Sequence, residues 1–260
     1  MDRRHFLIKS ATFLAGSLVG CNGLSKALAL DQSPNISPLS PCVALIIDDI
    51  GYNLDRAHQF LKLQVPITYA ILPRLPKTHT LAREIHGEGH EIMLHQPMEP
   101  FNATLNPGPG ALYVGDDANR ITNTLMENIS DVPFAVGVNN HMGSRFTSRK
   151  KEMKQTLGVI KEKDLFFVDS LTTSRSTAYQ TARHLHIGTA CRNIFLDNKT
   201  EEGAIFSKLM QLKKHALKYG NAIGIGHPHT NTARAISRFI NDHMDAKLSL
   251  VYVSFLIPHA

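Results

Sequence analysis

The stretch Val43-Ala44-Leu45-Ile46-Ile47-Asp48-Asp49 runs five apolar residues straight into two carboxylates. A strand with one wet face alternates apolar and polar side chains. An unbroken apolar run therefore predicts a strand covered on both faces. Leu54 to Leu63 follows with the periodicity of an amphipathic helix. The rhythm then continues down the chain. Strands are predicted at 67–72, 90–94, 134–138, 165–168, 195–196, 222–225 and 248–253. Helices are predicted at 78–88, 117–129, 148–163, 174–184, 201–219 and 231–244. Such alternation over about 215 residues argues for an α/β domain with a parallel sheet and helices outside. Seven or eight units suit a closed or nearly closed barrel, with an open doubly wound sheet as the alternative. No internal repeat is visible.

Upstream of that first strand the chain changes character. Residues 31–41 are polar and proline-rich and read as a tether within a linker over 30–41. Before it, Asp2-Arg3-Arg4-His5-Phe6-Leu7-Ile8-Lys9 leads into a short apolar run from Ser10 to Gly20. A basic start, a short apolar segment and small residues describe an export signal over 1–29. The paired arginines with Phe6 and Lys9 fit the twin-arginine type. Two cleavage sites compete. Leu18-Val19-Gly20-Cys21 resembles a lipobox that would leave Cys21 as a lipid anchor, and Ala27-Leu28-Ala29 fits an ordinary A-x-A site. The expected location is the periplasm or cell envelope of a bacterium.

Composition narrows the function. Apolar residues make up 43% and charged residues 19%, which excludes a disordered chain. Three cysteines exclude a disulfide-stapled miniprotein and a four-cysteine zinc module. Cys42 and Cys191 either pair in an oxidising compartment or remain free core thiols. The net charge of +6 includes three basic residues and one acidic residue of the first twenty, without which it is +4. The remaining basic residues are scattered on helical stretches, so a nucleic-acid partner is not expected.

The 14 histidines are the unusual count. His58, His79, His86, His215 and His243 fall in helical stretches and read as packing or surface groups. Others fall where strands end, the rim at which parallel α/β folds place their sites. The first strand ends in Asp48-Asp49, the third in His95, and the fourth runs into Asn139-Asn140-His141. Asp169 and Asp197 end two later strands, and Gly226-His227-Pro228-His229 follows another. Several neutral imidazoles with a carboxylate match a catalytic divalent site that keeps one position for water. Two adjacent aspartates on a strand point to opposite faces, so one is expected on the metal and the other toward substrate. That division suits metal-assisted hydrolysis.

These segments together resemble the divergent polysaccharide deacetylase family, an exported bacterial group related to the polysaccharide deacetylases. Ile46–Tyr52 resembles their T-F-D-D-G segment and Gly89–His95 their G-H-E-I-x-N-H segment. The segments MLHQPMEP (93–100), NNHMGS (139–144), FVDS (167–170) and GIGHPH (224–229) extend the likeness over about 42–257. The resemblance implies a distorted (β/α) barrel of about seven parallel strands, holding a divalent metal of zinc type. It casts Asp48 as catalytic base, Asp49 and His95 as metal ligands, and His227 as the acid that protonates the leaving amine. Typical members carry a second metal histidine four residues after the first, where this chain has Glu99. His141 is the candidate for that ligand and Glu99 the runner-up. Their R-x-P-Y segment is replaced by Asn139–Ser144.

Further groups are candidates for substrate contact or support of the site. Asp169 could orient a histidine or arginine, or cap a helix. Arg192 could meet a carboxylate or an anionic substrate group, or form a plain ion pair. His229 and Tyr52 flank the motifs. The Pro97–Gly115 loop reads as a rim or lid. The leading expectation is a metal-dependent hydrolase removing N-acetyl groups from an envelope polysaccharide. The alternative is a carbohydrate-binding or envelope-assembly protein that keeps the fold without turnover.

Overall fold

The computed structural model describes residues 40–244 and 247–257. The export signal expected over 1–29, its Cys21 and the linker up to residue 39 lie outside the described residues. In chain order the elements are β1 (Cys42–Ile50), α1 (Leu54–Leu61), β2 (Thr68–Ile71), α2 (Thr78–Gly87), β3 (Glu91–Met98) and α3 (Ala118–Asp131). Next come β4 (Ala135–Met142), a 3-10 turn (Phe146–Ser148), α4 (Lys150–Glu162), β5 (Phe166–Asp169), α5 (Ala178–His184), β6 (Thr189–Cys191) and β7 (Ile194–Phe195). The chain then forms α6 (Glu202–Tyr219), β8 (Asn221–Gly226), α7 (Thr230–His243), β9 (Ser249–Val251) and α8 (Val253–Leu256).

The strands pair in parallel in the order β6-β5-β4-β3-β2-β1-β8-β7, with β9 beside the first three residues of β1. The two ends of that path are consecutive in sequence. Only Arg192 and Asn193 separate β6 from β7. The Arg192 N–H donates to Asp169 of β5 at 3.0 Å, and the Asn193 N–H donates to Ile223 of β8 at 2.9 Å. One bent segment thus serves as the last stave and joins the two edges. This is the distorted α/β barrel expected from the sequence, with its strand C-termini gathered at one rim.

β1 is buried along its whole length except at Asp49, as its unbroken apolar run requires. Helices cover it on the outside, burying Ala57 and Phe60 of α1, Leu209 and Leu212 of α6, and Ile236 and Phe239 of α7. Local signals set the helix ends. Asn53 accepts the Arg56 N–H at the start of α1, and Asp117 accepts the Arg120 N–H at the start of α3. Gly220 ends α6 at φ 89°, a conformation that costs a residue without Cβ nothing.

The structure departs from the sequence reading at several elements. β3 and β4 run four residues longer than expected, paired from Ile92–Ala135 through Met98–Met142. His95 and Asn139–His141 therefore lie inside strands. The polar residues that hid this extension are satisfied there: the Gln96 amide donates to Gly110 at 3.0 Å and accepts from Asn128 at 2.8 Å. Beyond Leu94 β2 no longer accompanies β3, and Pro97 is tolerated at that freed edge. The three-residue β6 is too short for a periodicity signal. The last predicted strand is cut to Ser249–Val251, because Val253–Leu256 turns into α8. The helix expected from Ser174 starts only at Ala178. Cys42 and Cys191 are both free.

Candidate active site

Two neighbouring carboxylates meet at one place because the backbone breaks its own alternation. The β1–β2 register shifts between Ile47 and Ile50, and Asp49 sits at φ 57° in the left-handed region. Left-handed backbone costs most residues about 1–3 kcal/mol, and Asp is among the side chains that tolerate it best. The bulge turns Asp49 to the same side as Asp48. Both carboxylates then approach a single imidazole, with His95 Nε2 at 3.6 Å from Asp48 Oδ2 and 3.2 Å from Asp49 Oδ1. The sequence expectation that the pair diverges is thereby corrected.

His141 completes a triangle. Its Nδ1 is 2.9 Å from Asp49 Oδ1 and 3.1 Å from His95 Nε2. With metal–ligand bonds of about 2.0–2.1 Å, the edges of a tetrahedral site are roughly 3.3 Å. Three ligand atoms at 2.9–3.2 Å from one another therefore have the size of one face of such a site. Asp49 Oδ1 is also a buried oxygen without a well-directed hydrogen bond. A buried acceptor facing two nitrogens is the environment a cation would satisfy.

The second nitrogen of His95 fixes its tautomer. Asn139 on the neighbouring strand accepts the His95 Nδ1–H at 2.7 Å and donates its Nδ2–H to Asp48 Oδ1 at 2.8 Å. Its amide can only accept at Oδ1, so the Nε2 lone pair of a neutral His95 faces the triangle. Burial opposes charge on His95, yet Asp48 and Asp49 beside it hold its pKa above the ordinary value. Burial likewise tends to raise Asp49, but the two imidazoles outweigh it and keep the carboxyl well below the usual range. Asp48, fully enclosed, goes the other way. Its burial outweighs the attraction of His95 and His227 and raises it.

On the opposite side of β1 stands His227, at the end of β8. Its Nδ1–H donates to Asp197 Oδ1 at 2.9 Å, and its Nε2 looks toward Asp49 Oδ2 at 3.8 Å. Asp197 also accepts the His227 N–H and the Thr232 hydroxyl at 2.8 Å. Gly226 makes room for this clasp, since a Cβ there would meet Thr232 at 3.1 Å and Asp197 Oδ2 at 3.3 Å. Burial would lower His227, but the hydrogen bond and charge of Asp197, helped by Asp48 and Asp49, push it up to about 9. The ring therefore favours its protonated form at neutral pH.

The other candidates separate. Glu99, the runner-up ligand, lies away from the triangle. It accepts from Arg145 at 2.7 Å and from the Val114 N–H at 2.8 Å, clasping the rim loop to the strand-four turn. Asp169 orients no histidine or arginine side chain. It accepts from Leu171 N–H, Ser176 hydroxyl and Tyr179 N–H, which makes it the turn and cap of α5. Arg192 donates to the Ser170 and Leu171 carbonyls at 2.7 and 2.9 Å and lies over Phe195 at 5.0 Å. It braces the end of β5 instead of pairing with a carboxylate. His229 and Tyr52 line a cavity of about 150 Å³ beside Asp49 and His227.

Sequence reasoning placed Asn139, Asn140 and Asp197 at strand ends but gave none of them a role. Asn140 accepts the Ser170 N–H and donates to the Met142 carbonyl, tying the ends of β4 and β5. The only signal for Asp197 was its place at a strand end. Its partner lies thirty residues away.

The profile of the divergent polysaccharide deacetylase family matches residues 45–257. The uncharacterized protein YibQ of Escherichia coli (strain K12) is 32% identical over 221 residues, covering 83% of this chain and 67% of that protein. Among solved structures, the uncharacterized protein ATU2773 from Agrobacterium tumefaciens C58 is similar with a TM-score of 0.79 at 25% identity, over 84% of this chain and 89% of that one. A BA3943 mutant, described as a CE4 family pseudoenzyme with restored enzymatic activity, shares the fold with a TM-score of 0.53 at 14% identity, over 85% and 68% of the two chains.

Proposed function

Since this chain belongs to the divergent polysaccharide deacetylase family, we propose that it is a metal-dependent hydrolase removing N-acetyl groups from an envelope polysaccharide. The triangle of Asp49 Oδ1, His95 Nε2 and His141 Nδ1, with Asp48 and His227 on either side, carries this reading. Those three residues would hold a divalent ion of zinc type, which when bound supplies Lewis-acid polarisation of water and acyl oxygen. Asp48, anchored at Oδ1 by Asn139, keeps Oδ2 to accept a proton from the attacking water. The hydroxyl adds to the acyl carbon. His227 Nε2 delivers its proton to the amide nitrogen as the C–N bond breaks, so acetate and an amine leave. Asp197 holds the His227 ring in register and keeps it charged until that step.

An exported location is part of the reading, supported by the twin-arginine-like start and the lipobox-like Leu18–Cys21. A second reading, a glycan-binding or envelope-assembly protein without turnover, is favoured by one observation. Arg145, which directly follows the Asn139–Ser144 segment, is engaged by Glu99 and so unavailable to the site. One experiment separates them: acetate release from a panel of N-acetylated glycans by zinc-loaded protein. Release that disappears on chelation and returns with metal supports the hydrolase. Glycan affinity with no release at any pH overturns it in favour of the binder.

A further inference from the structure

Between the start of α1 and the start of α7 lies a cavity of about 150 Å³, opening directly off Asp49 and His227. This is about five water volumes, room for a charged substituent and little more. Its walls are Tyr52, Asn53 and Arg56 on one side, and His227, Pro228 and His229 on the other. Tyr52 is 62% exposed at its edge. Arg74, Arg120, Arg145 and Arg238 each have a carboxylate partner; the other described arginines have no ion pair among the described residues, and Arg56 is the one of them that lines this cavity. The Arg56 guanidinium has no ion pair among the described residues, although its backbone N–H is taken by Asn53. The His229 ring likewise accepts and donates no hydrogen bond among the described residues; it neighbours the His227 ring at 6.0 Å and lies within 4.8 Å of the Asp197 carboxylate, which is already taken by His227 and Thr232. The single acid in the wall, Asp49, has one oxygen committed to the His95–His141 triangle.

We propose that this cavity is an anion subsite in which Arg56 and His229 hold a carboxylate or phosphate group carried by the substrate beside the scissile N-acetyl group. The proposal rests on the hydrolase reading and names its substrate class, an acidic N-acylated glycan. A guanidinium recognises planar and tetrahedral oxyanions through paired N–H donors, and His229 adds one more donor from the opposite wall. Tyr52 covers the sugar face at the mouth. Because the wall faces solvent, the preference weakens as salt rises.

Two measurements test it. The first compares kcat/KM for acetate release by zinc-loaded protein from N-acetylated oligosaccharides that are neutral, carboxylated or phosphorylated. The expected result is at least a tenfold preference for one acidic class at low salt, and the class preferred tells carboxylate from phosphate. In Arg56→Gln the acidic substrate falls to within twofold of the neutral one, chiefly through KM. Equal rates on all three in the wild type overturn the subsite while leaving the hydrolase standing. The second measurement titrates D-glucuronate and methyl phosphate, with glucose as control, into chelator-treated protein by NMR. Shifts at Tyr52, Arg56 and His229 that are lost in Arg56→Gln support the subsite, even if no glycan in the panel is hydrolysed. Absence of any anion-specific shift overturns it, as does binding unaltered in Arg56→Gln.

Discussion

His95 and His227 are both rim histidines, both held at Nδ1 by a side chain from an adjoining strand or its end, and both turned with Nε2 toward Asp49. Their holders differ. His95 leans on the neutral amide of Asn139, and His227 leans on the buried carboxylate of Asp197. An amide fixes a tautomer without adding charge, leaving an imidazole that presents a lone pair to a cation. A carboxylate fixes the same tautomer and stabilises the protonated ring. In the proposed mechanism one residue type thereby serves as a metal ligand on one side of β1 and a proton donor on the other.

Removing the ligand side should have the largest effect. Asp49→Ala and His95→Ala are expected to contain no stoichiometric metal by elemental analysis and to lose activity entirely. Retention of one ion per chain in either would break the assignment. On the acid side, His227→Ala should keep its metal and lose about 10²–10⁴-fold in kcat, the usual range for a missing general acid. Metal loss in that variant would mean the two imidazoles are not distinct. Asn139→Ala should weaken metal affinity about 10–100-fold, as is usual when the partner of a ligating histidine is removed. Competition with a chelating dye reads this directly.

Asp197→Asn makes the acid side resemble the ligand side, and pH reports the change. His227 is pushed up to about 9 from an ordinary 6.5, so its contribution to stability is full below about pH 6.5 and lost as pH rises through about 9. Asp197 is lowered from 3.8, so its share is present above that value and lost as pH falls through its folded value. The alkaline limb of the rate profile should lie near pH 9 in the wild type and move toward 6.5 in Asp197→Asn. That corresponds to a loss of about thirtyfold at pH 8. An unmoved limb would assign the acid elsewhere. The smallest effect is a control outside both histidines. Burial first, then Asp169, push the Cys191 thiol up to about 12 against the pull of Arg192. Thiol reagents should label it more than tenfold slower than a free cysteine at pH 8, and intact mass should show no Cys42–Cys191 disulfide.

Much of this arrangement was legible in the chain. The apolar run of β1 announced a strand buried on both faces, and the polar residues after successive strands announced the rim. Asp48, Asp49, His95, His141 and His227 were all named from their places there. Extensions of β3 and β4 were hidden, because Gln96, Asn139 and Asn140 break the apolar pattern and are satisfied only by partners far away in sequence. Glu99 and Asp169 looked like site residues for the complementary reason. A carboxylate at a strand end reads the same whether it faces a metal or a backbone N–H.

The sequence by itself determined the kinds of residue at the rim, the alternation of most strands and helices, and the motifs that carry the family resemblance. Those depend on side-chain chemistry and on periodicity, which are local. Which oxygens and nitrogens converge was decided only by the tertiary structure. The left-handed turn at Asp49 swings two adjacent carboxylates onto one face against the two-residue alternation of a strand. The partners Asn139 and Asp197 then give two chemically identical imidazoles different surroundings, a neutral amide and a carboxylate, because the packing of segments 44 and 30 residues apart sets which neighbour each ring can reach.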